Sequence, residues 1–329
     1  MTTAVDVPPV TPGQHDLLTV VVTTRHEPAR DIVALDLSAP DGGLLPPWDP
    51  GAHIEVRLAG PDGQELIRHY SLCGDPHDRT TYRIAVLADP AGRGGSVHIH
   101  RTLRPGSELR ISVPRNHFPL ADADRYVFVA GGIGITPILA MARAASAAGR
   151  AWRAYYLVRE RDRLAFADDL SALGPTTVWV DAEHGRFDLD ALIAGLEPGT
   201  ELYACGPTAL LDELERRHTP DAAWGLHFER FSAAPVDTDG DTAFEVVAAR
   251  SGTTCTVEPG CSVLAALRSH GISVPSSCGE GVCGTCETTV LEGVPDHRDA
   301  VLTEEERAAN ETMMICVSRA KSARLVLDI

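Results

Sequence analysis

The stretch CGEGVCGTC, residues 278–286, sets three cysteines in a C-x4-C-x2-C pattern, and Cys316 lies further along the chain. That is the spacing of a plant-type [2Fe–2S] cluster, where four thiolates converge on two irons and one tight loop delivers three of them. Gly279, Gly281 and Gly284 let such a loop bend closely and turn N–H groups toward sulfur, where a β-carbon would obstruct. A structural zinc site is the rival reading, but zinc ordinarily takes two separated ligand pairs rather than a triplet and a distant fourth. Cys278, Cys283, Cys286 and Cys316 are therefore the candidate metal ligands. Around the loop, FEVVAARS (244–251) and TTCTVEP (253–259) predict strands. SVLAALRSHG (262–271) predicts a helix and ARLVLDI (323–329) a closing strand, so residues 243–329 read as an α+β iron–sulfur domain. The other four cysteines carry no competing ligand spacing. Cys73, Cys255 and Cys261 read as packing residues, while Cys205 stands where a strand meets a helix.

Upstream of a small, acidic linker at 232–242 (SAAPVDTDGDT), residues 121–231 alternate apolar strands with helices. RYVFVAGG (125–132), WRAYYLVR (152–159), TTVWVD (176–181), ELYACG (201–206) and GLHFERF (225–231) are the strands. TPILAMARAASAAG (136–149) and PTALLDELERRH (207–218) are the longest helices, each with proline near its start, where no backbone bond is lost. Such alternation implies parallel strands with crossover helices, a doubly wound α/β sheet. Within it AGGIGITP (130–137) follows the first strand and opens a helix. Gly131, Gly132 and Gly134 allow a pyrophosphate to approach the backbone, and the helix start offers unpaired N–H groups. The pattern is not G-x-G-x-x-G. Its position at the first strand–helix junction, with a second turn at Cys205-Gly206-Pro207 after the fourth strand, carries the reading, because ligands sit at the carboxyl ends of such strands.

Residues 14–120 hold six short β-type runs, from LLTVVVTTRHE (17–27) to ELRISV (108–113), separated by turn clusters PDGG (40–43) and GPDG (60–63), with one short helix near 95–102. This predicts a small antiparallel β-barrel. RHYS (68–71) puts Arg68 and Tyr70 on one side of a strand, with Ser71 next to them. An arginine can pair with phosphate and an aromatic ring can cover a flavin face. GRGGS (92–96) ahead of the helix adds a glycine-rich anion-binding element.

Net charge is −17 and Lys321 is the only lysine, which argues against nucleic acid, since phosphate contacts need clustered positive charge. The longest apolar runs fall short of the roughly 18 residues of a membrane span. The first residues, MTTAVDVPPVTPGQHD, show no basic start and no apolar signal region, so a cytoplasmic protein is expected. The acidic surface suits either docking to a basic redox partner or simple solubility.

At these residues the chain resembles the ferredoxin–NADP reductase superfamily, and within it the phthalate dioxygenase reductase family. RHYSLC, YRIAV, GRGGS, PRNHFPL, VAGGIGITP, CGP, HFERF and VPSSCGEGVCGTC occur in that family's order, followed by DHRDAVL and CVSRAKSARLVLDI. The resemblance implies FMN on the barrel, NADH on the doubly wound domain and a cluster facing the flavin. It implies that Tyr70 and Ser71 contact the isoalloxazine and that Arg68 meets a phosphate. Ala85 and Val86 would offer backbone groups, and Gly94, Gly95 and Ser96 would hold the FMN phosphate. Thr136 and Phe231 would lie where nicotinamide and flavin meet, and Ser277 would approach the flavin from the cluster loop. Gly279 departs from the larger residue common in the family, and the three arginines of VRERDR (158–163) leave the strictness of NADH preference open.

The chemistry this implies needs no side-chain acid or base, because the cofactors carry it. Hydride passes from NADH to FMN, and single electrons pass through the cluster to a terminal oxygenase, either a Rieske-type enzyme or a cytochrome P450. A monomer is expected. A rival reading is a non-catalytic redox sensor using the cluster as a switch, but a sensor would need no hydride port. His98 and His100, an H-x-H pair on the short helix, read as surface residues.

Overall fold

The computed structural model describes residues 17–59, 65–92, 94–231 and 238–329. The turn expected at 60–63, residues 14–16 of the first unit, Arg93 of the glycine-rich element and residues 232–237 of the linker lie outside the described residues.

Seven strands build the first sheet: β1 (Leu17–Ala29), β2 (Ile32–Ser38), β3 (Ala52–Ala59), β4 (Glu65–Ser71), β5 (Tyr82–Leu87), β6 (Glu108–Ser112) and the short β7 (Arg115–Asn116). The antiparallel path runs β4-β3-β6-β1-β2-β5, and an antiparallel bridge from Leu72 to Ile84 brings its two ends together. Helix α1 (Gly95–Thr102) lies between β5 and β6.

The second sheet is parallel, with order β10-β9-β8-β11-β12, made of β8 (Arg125–Gly131), β9 (Ala151–Val158), β10 (Thr176–Val180), β11 (Glu201–Cys205) and β12 (Gly225–Glu229). The chain starts in the middle, walks outward through β9 and β10, then returns to the other side of β8. Its helices are α2 (Ile135–Ala147), α3 (Ala167–Leu173), α4 (Asp181–His184), α5 (Leu189–Ala194) and α6 (Thr208–Arg217). Strand β8 is buried from Tyr126 onward, as a strand covered on both faces requires.

Beyond the linker, β13 (Phe244–Ala248) and β14 (Thr253–Val257) form a hairpin followed by α7 (Val263–Ser269), whose start is capped by Ser262 accepting from the Ala265 N–H at 3.2 Å. After the cysteine loop come β15 (Glu287–Glu292), β16 (Pro295–Asp296), α8 (Glu304–Ala309), β17 (Thr312–Met314), β18 (Arg319–Ala320) and β19 (Arg324–Leu327). The sheet order β14-β13-β19-β15-β17 inserts the last strand between the first and a later one, parallel to β13 and antiparallel to β15. The sequence reading passed over β15 to β18. Their alternation is short and lies directly against the cysteines, so the loop signal masks it.

The cores are arranged unequally. Ile32, Ala34, Cys73, Ala85 and Phe118 of the first unit pack in one cluster with Phe128, Ile138, Tyr156 and Cys205 of the second. The iron–sulfur unit keeps a core of its own, including Phe244, Val257, Leu267, Met314 and Leu327.

Candidate functional site

Strand β4 ends at a crowded corner. Arg68 and Tyr70 are half-buried on it and Ser71 is buried. A β-carbon on Gly95 would come within 2.4 Å of Arg68 Nε, so the arginine lies directly over the start of α1 and would have to shift for any larger residue. Gly94 holds the left-handed backbone (φ 78°) that turns the chain into that helix. A guanidinium and the unpaired N–H groups of a helix start thus share one corner, which suits an anion. Ser96 Oγ accepts from the Asp89 N–H at 3.0 Å and keeps its own proton for a further partner. Ala85 and Val86 are buried in β5, paired with Ala34 and Val33 of β2. The expectation that His100 is a surface residue is corrected here: its Nε2 lies 2.9 Å from the Val86 carbonyl. A helix this short has one inward face, and His100 stands near it.

At the carboxyl ends of the parallel strands opens a cleft of about 800 Å³, lined among others by Gly131, Gly132, Pro207, Leu157, Arg159 and Arg186. Gly134 packs on β11 so closely that a β-carbon would meet the Cys205 carbonyl oxygen at 2.1 Å, which joins the two strand–helix turns. Thr136 is buried and its Oγ1 donates to the Ile133 carbonyl at 3.0 Å. Gly206 follows Cys205 into Pro207, the cap of α6. Phe231 stands past β12 with 41% of its surface exposed. Two of the three arginines after β9 are held by acids: Arg161 by Glu183, with Nε to Oε1 at 2.8 Å, and Arg163 by Asp31 at 2.8 Å. Arg30 of the first unit reaches across to Glu160 and to Asp162 (2.7 Å) at the rim of the same cleft.

Where the two sheets meet, Ser71 lies beside the Glu229 carboxyl, which burial pushes up to about 8, with Ser71 a smaller opposing influence. Glu229 Oε2 is buried without a hydrogen-bond partner. Cys205 is fully buried, and burial first, then the nearby Glu229, pushes its thiol well above the ordinary range. The sequence reading missed Glu229. It stands one residue before Arg230 in HFERF, and its neighbour Ser71 is more than a hundred residues away, so no local pattern points to it.

The cysteine loop lies against β3, β4 and β7. The sulfur of Cys278 touches those of Cys283 and Cys316, and Cys286 touches Cys316. All four are buried. The contacts make a row, 283–278–316–286. Among the described residues no three ligating side chains gather around a single ion. Ser277 Oγ lies 2.7 Å from His69 Nε2, and Thr285 Oγ1 takes a bond from Arg115 Nη1 at 3.0 Å. A β-carbon on Gly284 would meet the His117 ring at 2.7 Å. His117 and His69 both stack or edge onto His53, with ring centres 5.7 and 5.3 Å apart. Burial, then the neighbouring His69 and His117, lowers His53 to about 3, so this ring stays neutral. His53, His69, His117, Glu55, Arg115 and Thr285 were not singled out from sequence. They come from separate strands, and only a contact map joins them.

Comparison with known proteins bears on these three places. Residues 246–321 match the 2Fe-2S iron-sulfur cluster binding domain family. The chain is 40% identical over 328 residues to phthalate dioxygenase reductase of Burkholderia cepacia, covering 97% of this chain and 99% of that protein. It is 42% identical over 332 residues to a vanillate O-demethylase oxidoreductase of a Pseudomonas species, covering 95% of this chain and 100% of that one. A solved structure of phthalate dioxygenase reductase, described as modular for electron transfer from pyridine nucleotides to [2Fe–2S], matches with a TM-score of 0.68, 40% identity, and 95% and 98% of the two chains covered. An intact type IV self-sufficient cytochrome P450 monooxygenase matches with a TM-score of 0.87 and 46% identity over 95% of this chain; the chain spans 41% of that protein's length.

Proposed function

The chain belongs to the phthalate dioxygenase reductase family, and from that premise we propose that it is the NADH-dependent reductase of an oxygenase system. It is an oxidoreductase of the electron-transfer kind. When bound, FMN takes hydride from NADH and the [2Fe–2S] cluster relays single electrons to a terminal oxygenase, Rieske-type or cytochrome P450.

The observation that carries this reading is the meeting of three places along the first sheet. The anion corner of Arg68 and α1, the place where Ser71 lies beside Glu229 at the mouth of the parallel sheet, and the cysteine loop under His69 all border β4 and its neighbours. The residues fit the groups. Arg68 and the backbone of Gly94, Gly95 and Ser96 hold the FMN phosphate, while Tyr70, Ser71, Ala85 and Val86 border its ring. Gly131, Gly132, Gly134, Gly206 and Pro207 shape the NADH cleft. Thr136, Cys205 and Phe231 line the nicotinamide end, with Glu229 beside Ser71 there. Cys278, Cys283, Cys286 and Cys316 would hold the cluster, and Ser277 would close the loop toward the flavin. These residues contribute proximity and the exclusion of water rather than proton transfer.

The first sheet is read as an antiparallel flavin barrel over 14–120, the parallel sheet as a doubly wound NAD domain over 121–231, and 243–329 as a β-grasp ferredoxin domain after a linker at 232–242. None of the eight cysteines forms a disulfide, which suits a reducing cytoplasm, and the chain is read as a monomer. Among the described residues no helix is long and apolar enough to cross a membrane.

The test is NADH-driven reduction of a one-electron dye by the purified full chain, with chromatography of the released flavin. Steady dye reduction and FMN are expected; no NADH-driven turnover, or FAD as the main flavin, would overturn the reading.

A further inference from the structure

Three stretches of the iron–sulfur unit converge behind the cysteine loop. Gly281 stands between Cys278 and Cys283 with φ 70°, and a β-carbon there would lie 2.5 Å from Val317 Cγ2 and 3.1 Å from Asp299 Cα. The middle of the loop, the residue after Cys316 and Asp299 therefore meet at one point. The Ala300 N–H donates to the Gly281 carbonyl at 2.9 Å and fastens the loop to the turn that leads into α8.

Asp299 is 6% exposed and Ser318 is fully buried. Asp299 Oδ2 accepts from the Val301 and Leu302 N–H groups at 3.1 and 2.9 Å. Its Oδ1 accepts the Ser318 hydroxyl at 3.3 Å, and Ser318 Oγ in turn accepts from the Arg298 N–H at 3.2 Å. A carboxylate is costly to bury, and these three donors offset that cost. The turn itself needs only two of them, and α8 has its own cap in Thr303 and Glu306. The third bond leaves the turn and reaches the segment that carries Cys316. The close spacing of the loop cysteines restrains three ligands, but nothing in that spacing restrains the distant fourth.

We propose that Asp299 and Ser318 are positioning residues for the cluster: their bond, beside the bond from Ala300 to Gly281, locks the Cys316 segment to the loop that carries Cys278 and Cys283. Retention of the cluster then depends on a joint none of whose atoms is a ligand. This rests on the four cysteines being the cluster ligands.

The experiment is iron release from the full-length, flavin- and cluster-loaded protein under an inert atmosphere, followed by the colour of an added ferrous-iron chelator. Ser318→Ala removes the joint and leaves the turn's own bonds, and it is expected to release iron roughly tenfold faster than the unmodified protein. Asp299→Ala is expected to be at least as fast, and adding Ser318→Ala to it to bring no further acceleration. If either alanine variant does not fold, Asp299→Asn keeps an acceptor for the turn while losing the charge that takes the Ser318 proton, and it should accelerate release as well. Val257→Ala, in the core of the same unit, is the control for lost stability, each variant being measured the same interval below its own Tm. Release from Ser318→Ala no faster than from Val257→Ala would overturn the proposal, because the bond would then be ordinary packing. Additive effects of the two alanine changes would overturn it too, since the residues would not act as one joint. Unchanged release in variants with a normal cluster spectrum would overturn it and leave the ligand assignment intact. An unmodified protein with no [2Fe–2S] spectrum would overturn the ligand assignment and this proposal together.

Discussion

The first sheet meets its two neighbours in different ways. Toward the parallel sheet it shares a continuous apolar core, with Phe118 packed on Tyr203 at 5.4 Å between ring centres. Toward the iron–sulfur unit it offers mainly polar side chains, His69 to Ser277 and Arg115 to Thr285, while that unit's core stays separate. Apolar burial is worth roughly 25 cal/mol per Å² and cannot be undone piecemeal, whereas a polar seam exchanges its bonds for bonds to water at little net change. The pair of units proposed to exchange hydride, which needs a fixed geometry, is fused. The unit proposed to carry single electrons, which pass between centres without a shared bond, is only docked.

The largest expected effect tests whether the docked unit is independent. Cys283→Ser should bleach the cluster's visible absorption and abolish electron delivery to an oxygenase, while NADH still reduces the flavin. Loss of the flavin step in protein that stays folded would show that the two seams are not separable. Next comes the fused seam. Phe118 is buried between the sheets, and Phe118→Ala should cost about 3–5 kcal/mol. Calorimetry should show the flavin and nucleotide units losing stability in one transition, with the iron–sulfur unit melting as before; separate shifts of the first two would split the proposed fused pair.

Glu229 belongs to the same seam and sharpens it through pH. Its carboxyl is raised by burial from 4.5 to about 8, so between those values the folded chain holds a proton that the unfolded chain has released. Stability therefore falls as pH rises across that window. Glu229→Gln, neutral at every pH, should flatten the dependence of Tm between pH 5 and 8; an unchanged slope would remove Glu229 as its source. The smallest effect concerns the rim of the cleft, where Arg161 and Arg163 are tied to Glu183 and Asp31. The Arg163 pair belongs to the seam and the Arg161 pair stays within the parallel-sheet unit, and both engage guanidinium groups that a 2′-phosphate would need. NADH is expected to be preferred over NADPH by at least about tenfold in kcat/KM, roughly 1.4 kcal/mol. Changing Arg159, Arg161 and Arg163 to Glu should weaken residual NADPH use more than NADH use. Equal or better efficiency with NADPH would reverse the assignment.

Most strands of the first two units could be read directly, since period-two alternation and compact apolar runs are local signals. The cysteine triplet was legible for the same reason: its three cysteines stand close together in sequence. The small strands after Cys286 were hidden because β16 and β18 are two residues long and take their identity from pairing with each other.

The residues of the seams were not legible. Glu55, His69 and Arg115 sit in ordinary strand patterns, and nothing nearby marks Glu55 as buried or His69 as facing Ser277. By itself the sequence determined most strands of the first two units, the glycine turns and the spacing of the four cysteines, because each depends on backbone geometry within a few residues. Only the tertiary structure decided that Ser71 meets Glu229, that Thr285 lies between Cys283 and a buried ion pair, and which seam is apolar. Those contacts join residues far apart in the chain, and their energies depend on burial, which exists only once the units have packed.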